Sequence, residues 1–187
     1  MSLDGDGQHD PRDAAKLLAV WQRRPECLVI GSRLHDRGRF PPVRYFGNRF
    51  ACFWISWAPG HPIADSQSGF RVYSRAVMAI ATSERARCAR FTLESEILIE
   101  AADQGYPTLA VAIPGHYPND ARPSHFRSVV DTARIVAMVA TRLLRKGMYP
   151  LGLWRTLHRA PVLAAPDDAR PVTGTAAQPE RGDQAVF

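Results

Sequence analysis

From its third position the chain reads Leu3-Asp4-Gly5-Asp6-Gly7-Gln8-His9-Asp10-Pro11. Two carboxylates one residue apart, flanked by glycines, can hold a hard divalent cation through oxygen ligands. Such an ion keeps positions open for water and substrate phosphates, which suits a nucleotide diphosphate. The EF-hand alternative fails, because Ala15 stands where position 12 of that loop needs Glu. As a bare pattern, Asp-x-Asp also arises in solvated acidic turns; the longer ordered string is far more specific. A second group is Val29-Ile30-Gly31-Ser32-Arg33, followed by Arg37, Arg39 and Arg44. A strand ending in Gly-Ser-Arg projects an arginine at the carboxyl edge of a sheet, where α/β folds collect ligands. Pairing with a nearby carboxylate is the plainer use of any one of these arginines.

Two further strings carry polar chemistry. Asp65-Ser66-Gln67-Ser68-Gly69-Phe70-Arg71 lines a loop with a carboxylate, hydroxyls and a turn-permitting glycine, which also describes a simple turn with a capping Asp. Glu94 and Glu96 stand two residues apart on a predicted helix, so they face different ways and form no paired acid–base site. Arg122, Ser124, His125 and Arg127 surround a helix start, which makes an anion-binding loop or an ordinary capped terminus.

The elements that position these groups follow from periodicity. Asp10 caps and Pro11 opens a helix running to about Gln22, with Ala14, Leu17, Leu18 and Trp21 as its apolar face. Cys27 to Ile30 is a short buried strand closed by Gly31. Residues 33–42 form a charged loop. From Val43 to Trp57 the aromatics Phe46, Phe50, Phe53, Trp54 and Trp57 predict a helix buried on a wide face. Pro59-Gly60-His61-Pro62 ends it. Phe70 to Tyr73 is extended, and Ser74 caps a short helix to about Ala81. A helix from Thr92 to Gln104 stops at Gly105, a strand follows from Thr108 to Ile113, and residues 115–123 form a turn-rich loop. The last long helix spans His125 to Lys146, with a stripe of Val129, Val130, Ala133, Val136, Ala137, Ala140 and Leu144. From about residue 160 the chain has little apolar content and reads as disordered. Strands and helices alternate, so the fold class is α/β.

Length and composition bound the rest. The 187 residues suffice for one domain, and 45% hydrophobic with 22% charged residues is globular composition. No internal repeat is visible, and no apolar run reaches the roughly 18 residues that a membrane span needs. The acidic N-terminus has neither a basic n-region nor an apolar h-region, so a secretory signal is not expected. Cys27, Cys52 and Cys88 lie far apart without a CxxC pair, which argues against a disulfide framework or a zinc site and for the cytoplasm. The net charge is +6, and Lys16 and Lys146 are the only lysines among 24 basic residues. Arginine's planar fork suits phosphate oxygens, though arginine-rich coding alone would give the same excess. The sequence pI near 9.7 invites a nucleic-acid reading. No nucleic-acid motif is present and the aromatics fall at core spacing, so no nucleic-acid partner is expected.

Taken in order, LDGDGQHDP, VIGSR, DSQSGFRVYSR, FTLESEILIEAADQGY and RPSHFRSVVDTARI resemble the family 2 glycosyltransferases, especially bacterial relatives of polyprenyl-phosphate mannosyl- and glucosyltransferases. The resemblance runs from Leu3 to about Leu144. It implies a GT-A fold, a mixed sheet flanked by helices with a nucleotide-diphospho-sugar (UDP- or GDP-linked) bound at its edge. It implies that Asp4 and Asp6, with Gln8 close by, meet Mg²⁺ or Mn²⁺ on the diphosphate. Arg33 and Arg44 would bind the phosphate of a polyprenyl phosphate acceptor. Asp65, in a loop shaped by Ser68 and Gly69, would be the base if the acceptor were a hydroxyl. Arg122 and His125 would close over the phosphates. Transfer would be inverting, with the metal and arginines taking up charge on the leaving group. A lipid acceptor would bring the helix 125–146 and the stretch 148–154 to an anionic membrane surface, on its cytoplasmic face.

Relatives of that family begin with a nucleotide-binding half, which is not found before Asp4. The resemblance therefore divides the chain into the rear part of a glycosyltransferase domain, 1–147, and an amphipathic stretch with a disordered tail, 148–187. It leaves two expectations beside an active transferase: an inactive remnant, or a fragment that needs an upstream half.

Overall fold

The computed structural model describes residues 1–4, 9–35, 42–83, 93–115 and 128–170, without the side chains of Val43, Arg44 and residues 128–133. Asp10 accepts a bond from the Arg12 backbone N–H at 2.9 Å, capping a 3-10 turn over Pro11–Asp13. That turn runs into α1, Ala14–Arg23. The remaining elements are β1 (Leu28–Ser32), α2 (Pro42–Trp57), β2 (Arg71–Val72), α3 (Arg75–Thr82), α4 (Leu93–Asp103), β3 (Thr108–Ala112), α5 (Ser128–Arg145) and α6 (Pro150–His158). Ser74 caps α3 as expected, its hydroxyl accepting from the Val77 N–H.

The strands form a mixed sheet of order β2-β1-β3, with β1 parallel to β3 and antiparallel to β2. Alternation along β1 sends Leu28 and Ile30 to one face and Val29 to the other. The first face packs on α2, α3, α4 and α5 through residues such as Ile55, Val77, Leu98 and Val139. The second packs on α1 through Leu17 and Val20. Both faces of β1 are thus covered, which is why its sequence is continuously apolar. The α/β class holds, as an α-β-α sandwich.

Three helical faces differ from those expected. On α1, Val20 is buried and Leu18 is exposed. On α5 the buried residues are Ile135, Val139 and Leu143, while Val136 and Leu144 face solvent. The expected stripe is displaced by one residue: Ile135, Val139 and Leu143, spaced by four, make the core face, and alanines 137 and 140 are left outside. On α2 only the second half is buried, through Cys52, Ile55, Ser56 and Trp57; Phe46 and Phe50 are exposed.

The segment after α6 is not disordered over residues 160–170. The Ala110 N–H donates to the Val162 carbonyl at 2.9 Å and the Ala164 N–H to the Ala110 carbonyl at 2.8 Å, so this segment lies along the outer edge of β3. Arg23 on α1 clamps it by donating to the carbonyls of Asp167, Asp168 and Arg170. Pairing satisfies an edge that apolar content alone did not reveal. Residues 171–187 lie outside the described residues.

Candidate functional site

Strand direction decides where the polar strings meet. Ser2 pairs antiparallel with Arg71 on the outer edge of β2, through bonds of 2.8 and 3.1 Å. It therefore runs in the direction of β1. Asp4 leaves the sheet at the edge where Arg33 follows β1, which is also where the loop 65–69 enters β2. Three of the four strings thus converge at the carboxyl edge of β1 and β3, the usual ligand side of an open α/β sheet.

Asp65 is fully buried. Its Oδ2 accepts from the Arg33 backbone N–H at 3.1 Å and from Arg33 Nε at 3.4 Å, a buried ion pair. Its Oδ1 is buried without a hydrogen-bond partner among the described residues. Arg33 Nη2 also donates to the Gln67 carbonyl at 3.4 Å. The loop closes on itself, the Ser68 N–H donating to the Asp65 carbonyl and Ser68 Oγ accepting from the Phe70 N–H. Ser68 is wholly buried and shapes the loop from within.

Two side chains that sequence reasoning passed over hold this loop from behind. Arg71, fully buried on β2, donates from Nη2 to the Ser66 carbonyl at 2.8 Å and from Nη1 to the Glu94 carbonyl at 3.3 Å. Its Nη2 also lies 3.5 Å from Glu94 Oε2. An arginine between Phe70 and Val72 on a buried strand was the available signal, since a buried guanidinium must find acceptors. Cys52, buried on α2, accepts the Ser66 N–H at Sγ (3.2 Å) and lies 3.3 Å from Ser66 Oγ. Burial, and next the Asp65 charge, pushes its thiol up to about 11, so it stays neutral. Nothing in the sequence marks it.

Asp4 is exposed at the same edge, and its carboxylate rests directly on Gly69. A methyl group at 69 would overlap that carboxylate, so the glycine makes the place in which it lies. Ser2 Oγ secures the approach by donating to the Gly69 carbonyl at 2.9 Å. His9 is buried with its ring 5.3 Å from that of Phe70 in an edge-on contact. Asp6 and Gln8 lie outside the described residues, as do Arg122 and His125. Arg44 is on the first turn of α2 without a described side chain. Among the described residues, no three His, Cys, Asp or Glu side chains gather as a metal site. The hard, exposed oxygens of Asp4, given room by Gly69, suit Mg²⁺ or Mn²⁺ in their chemistry.

The chain is similar to archaeal glycosyltransferases. It is 34% identical over 104 residues to the UDP-N-acetylglucosamine–dolichyl-phosphate N-acetylglucosaminyltransferase of Methanococcus voltae, a match covering 54% of this chain and 41% of that protein. To the glycosyltransferase AglJ of Haloferax volcanii it is 28% identical over 148 residues, 78% of this chain and 46% of AglJ. An uncharacterised protein of Methanocaldococcus jannaschii is 29% identical over 116 residues, 60% of this chain and 47% of its own length. The chain thus spans less than half the length of these glycosyltransferase relatives and their uncharacterised companion. No family model and no solved structure matches it.

Proposed function

We propose that the chain is part of a GT-A glycosyltransferase of family 2 that moves a sugar, with inversion, from a UDP- or GDP-sugar to a polyprenyl phosphate. The observation that carries this reading is that Asp4 rests on Gly69, in the same loop whose Asp65 forms a buried pair with Arg33 at the carboxyl edge. A hydroxyl acceptor would need a base, and Asp65 is fully buried with Oδ2 already bonded to Arg33. A phosphate acceptor arrives ionised and needs a cation and orientation instead. Asp65 is committed to the buried Arg33, and only its Oδ1 remains as a base for the hydroxyl alternative. The dolichyl-phosphate enzyme of Methanococcus voltae supports the same acceptor class.

In this reading Asp4, Asp6 and Gln8 hold Mg²⁺ or Mn²⁺, which when bound draws charge from the departing diphosphate. Arg44, Arg122 and His125 complete the contacts to phosphate, while Ser68, wholly buried, shapes the loop and does not reach the acceptor. The test is titration calorimetry of a version extended upstream with UDP- and GDP-sugars, with and without Mn²⁺, followed by assay of transfer to dolichyl phosphate. Binding that requires Mn²⁺ and is lost in Asp6→Ala is the expected result. Binding indifferent to metal and to Asp6→Ala, or absent for both nucleotides, would overturn the proposal.

A further inference from the structure

A second group of charges gathers at the opposite, amino edge of the sheet. Helix α4 ends at Asp103, just before the chain enters β3. The end of α5 is brought beside it, with Lys146 Nζ 2.7 Å from Asp103 Oδ1 and 3.0 Å from the Ala58 carbonyl behind α2. Between the two helices lies a cavity of about 490 Å³, lined by Glu100, Arg142, Arg145 and Lys146. The dipole of α5 favours cations in its last turn; it does not call for a cavity among them.

The donors facing this cavity are unequally used. Lys146 has acceptors for all three of its N–H bonds, in both oxygens of Asp103 and in the Ala58 carbonyl. Arg142 engages Glu100 at 3.2 Å and Asp103 at 3.7 Å through Nη1 alone, which leaves Nε and Nη2 without partners among the described residues. Arg145 is exposed and has no hydrogen bond or ion pair among them. On the α4 wall, Glu100 accepts from Gln104 Nε2 at 3.1 Å and from Arg142, and each carboxylate oxygen has a further lone pair.

We infer that this cavity binds a small hydroxylated phosphomonoester, of the sugar-phosphate class. A carboxylate has two oxygens and is satisfied by one guanidinium fork, whereas the three oxygens of a phosphomonoester can take up donors from both Arg142 and Arg145. Inorganic phosphate would fill only part of a space within the range used for small molecules. Beyond the arginines the wall is Glu100, an acceptor suited to hydroxyl groups and unsuited to apolar ones. A nucleotide fits less well, because no aromatic or aliphatic side chain among the lining residues offers a face to a base. The site lies across the sheet from Asp4, Arg33 and Asp65, so the inference goes beyond the transferase reading and does not rest on it.

The test is titration calorimetry of the full chain, in a metal chelator, with glucose 6-phosphate, glucose and inorganic phosphate as probes. Glucose 6-phosphate should bind more tightly than phosphate, and glucose should not bind. Arg145→Ala should weaken glucose 6-phosphate at least about tenfold with an unchanged circular-dichroism spectrum, since this side chain holds nothing else among the described residues. Arg159→Ala, which removes an exposed arginine beyond α6, should leave the affinity unchanged. Unchanged affinity in Arg145→Ala would place the probe elsewhere, at the catalytic edge for instance, and overturn the inference. So would equal affinity for phosphate and glucose 6-phosphate, an equal loss in Arg159→Ala, or no binding at millimolar probe. Binding of glucose 6-phosphate by a chain that proves to transfer no sugar would sink the catalytic proposal and leave this one standing.

Discussion

Asp65 and Arg33 place opposite charges where neither can be solvated, so each depends on the other. Removing one partner of such a pair costs about 3 kcal/mol or more, because the remaining charge is stranded. Asp65→Asn should therefore lower unfolding stability by about that much in urea titration. Adding Arg33→Met should recover part of the loss, a coupling that a double-mutant cycle reads directly. Gly69→Ala tests the same edge differently. Its methyl group meets the end of an exposed side chain, so the fold should tolerate it while Asp4 is displaced and Mn²⁺ affinity falls. His61 supplies a pH dependence. Its Nε2 lies 2.8 Å from Thr108 Oγ1, and burial pushes its pKa below the ordinary 6.5. The unfolded chain takes up this proton first, so stability present above about pH 6.5 is lost as pH falls through the folded pKa. Urea midpoints at about pH 7.5 and about pH 5 should differ, and His61→Gln should shrink the difference.

At the scale of elements, local signals placed most helices and strands because caps and periods are short-range. Asp10, Ser74 and the apolar run of β1 were legible for that reason. Faces were less so. On α5, apolar type could not separate Val136 and Leu144, which face solvent, from Val139 and Leu143, the same side chain types on the buried face. On α2, the aromatics 46 and 50 continued the pattern of Phe53 and Trp57, and no local rule tells a core aromatic from one that faces outward. The site was legible as strings, through Asp4, Arg33 and Asp65. The braces Arg71 and Cys52 were not, since each acts through backbone groups brought near only by the fold. The junction of α5 and α6 shows the same limit. Gly147, Met148 and Tyr149 all have positive φ, and the Tyr149 ring fits against Gly60 and Gly152, whose backbones nearly touch. Gly152→Ala should force this junction apart and cost about 1–3 kcal/mol, measured as a fall in the urea midpoint.

At the scale of the whole molecule, the sheet formed by the described residues is small and each of its outer edges is met by a short bridging segment. Ser2 covers β2, and residues 162–164 cover β3. A chain ending at Arg159 should lose about 2 kcal/mol from the two strand bonds alone. It should also self-associate as concentration rises, which light scattering would detect. The order of events in time follows from that covering segment. Residue 110 meets 163 only after α5 and α6 have been made and turned back, while β1 and β3 already join positions 28 and 108. During synthesis the outer edge of β3 therefore stays open until residues 162–164 have emerged, and through that interval it is free to pair with another chain.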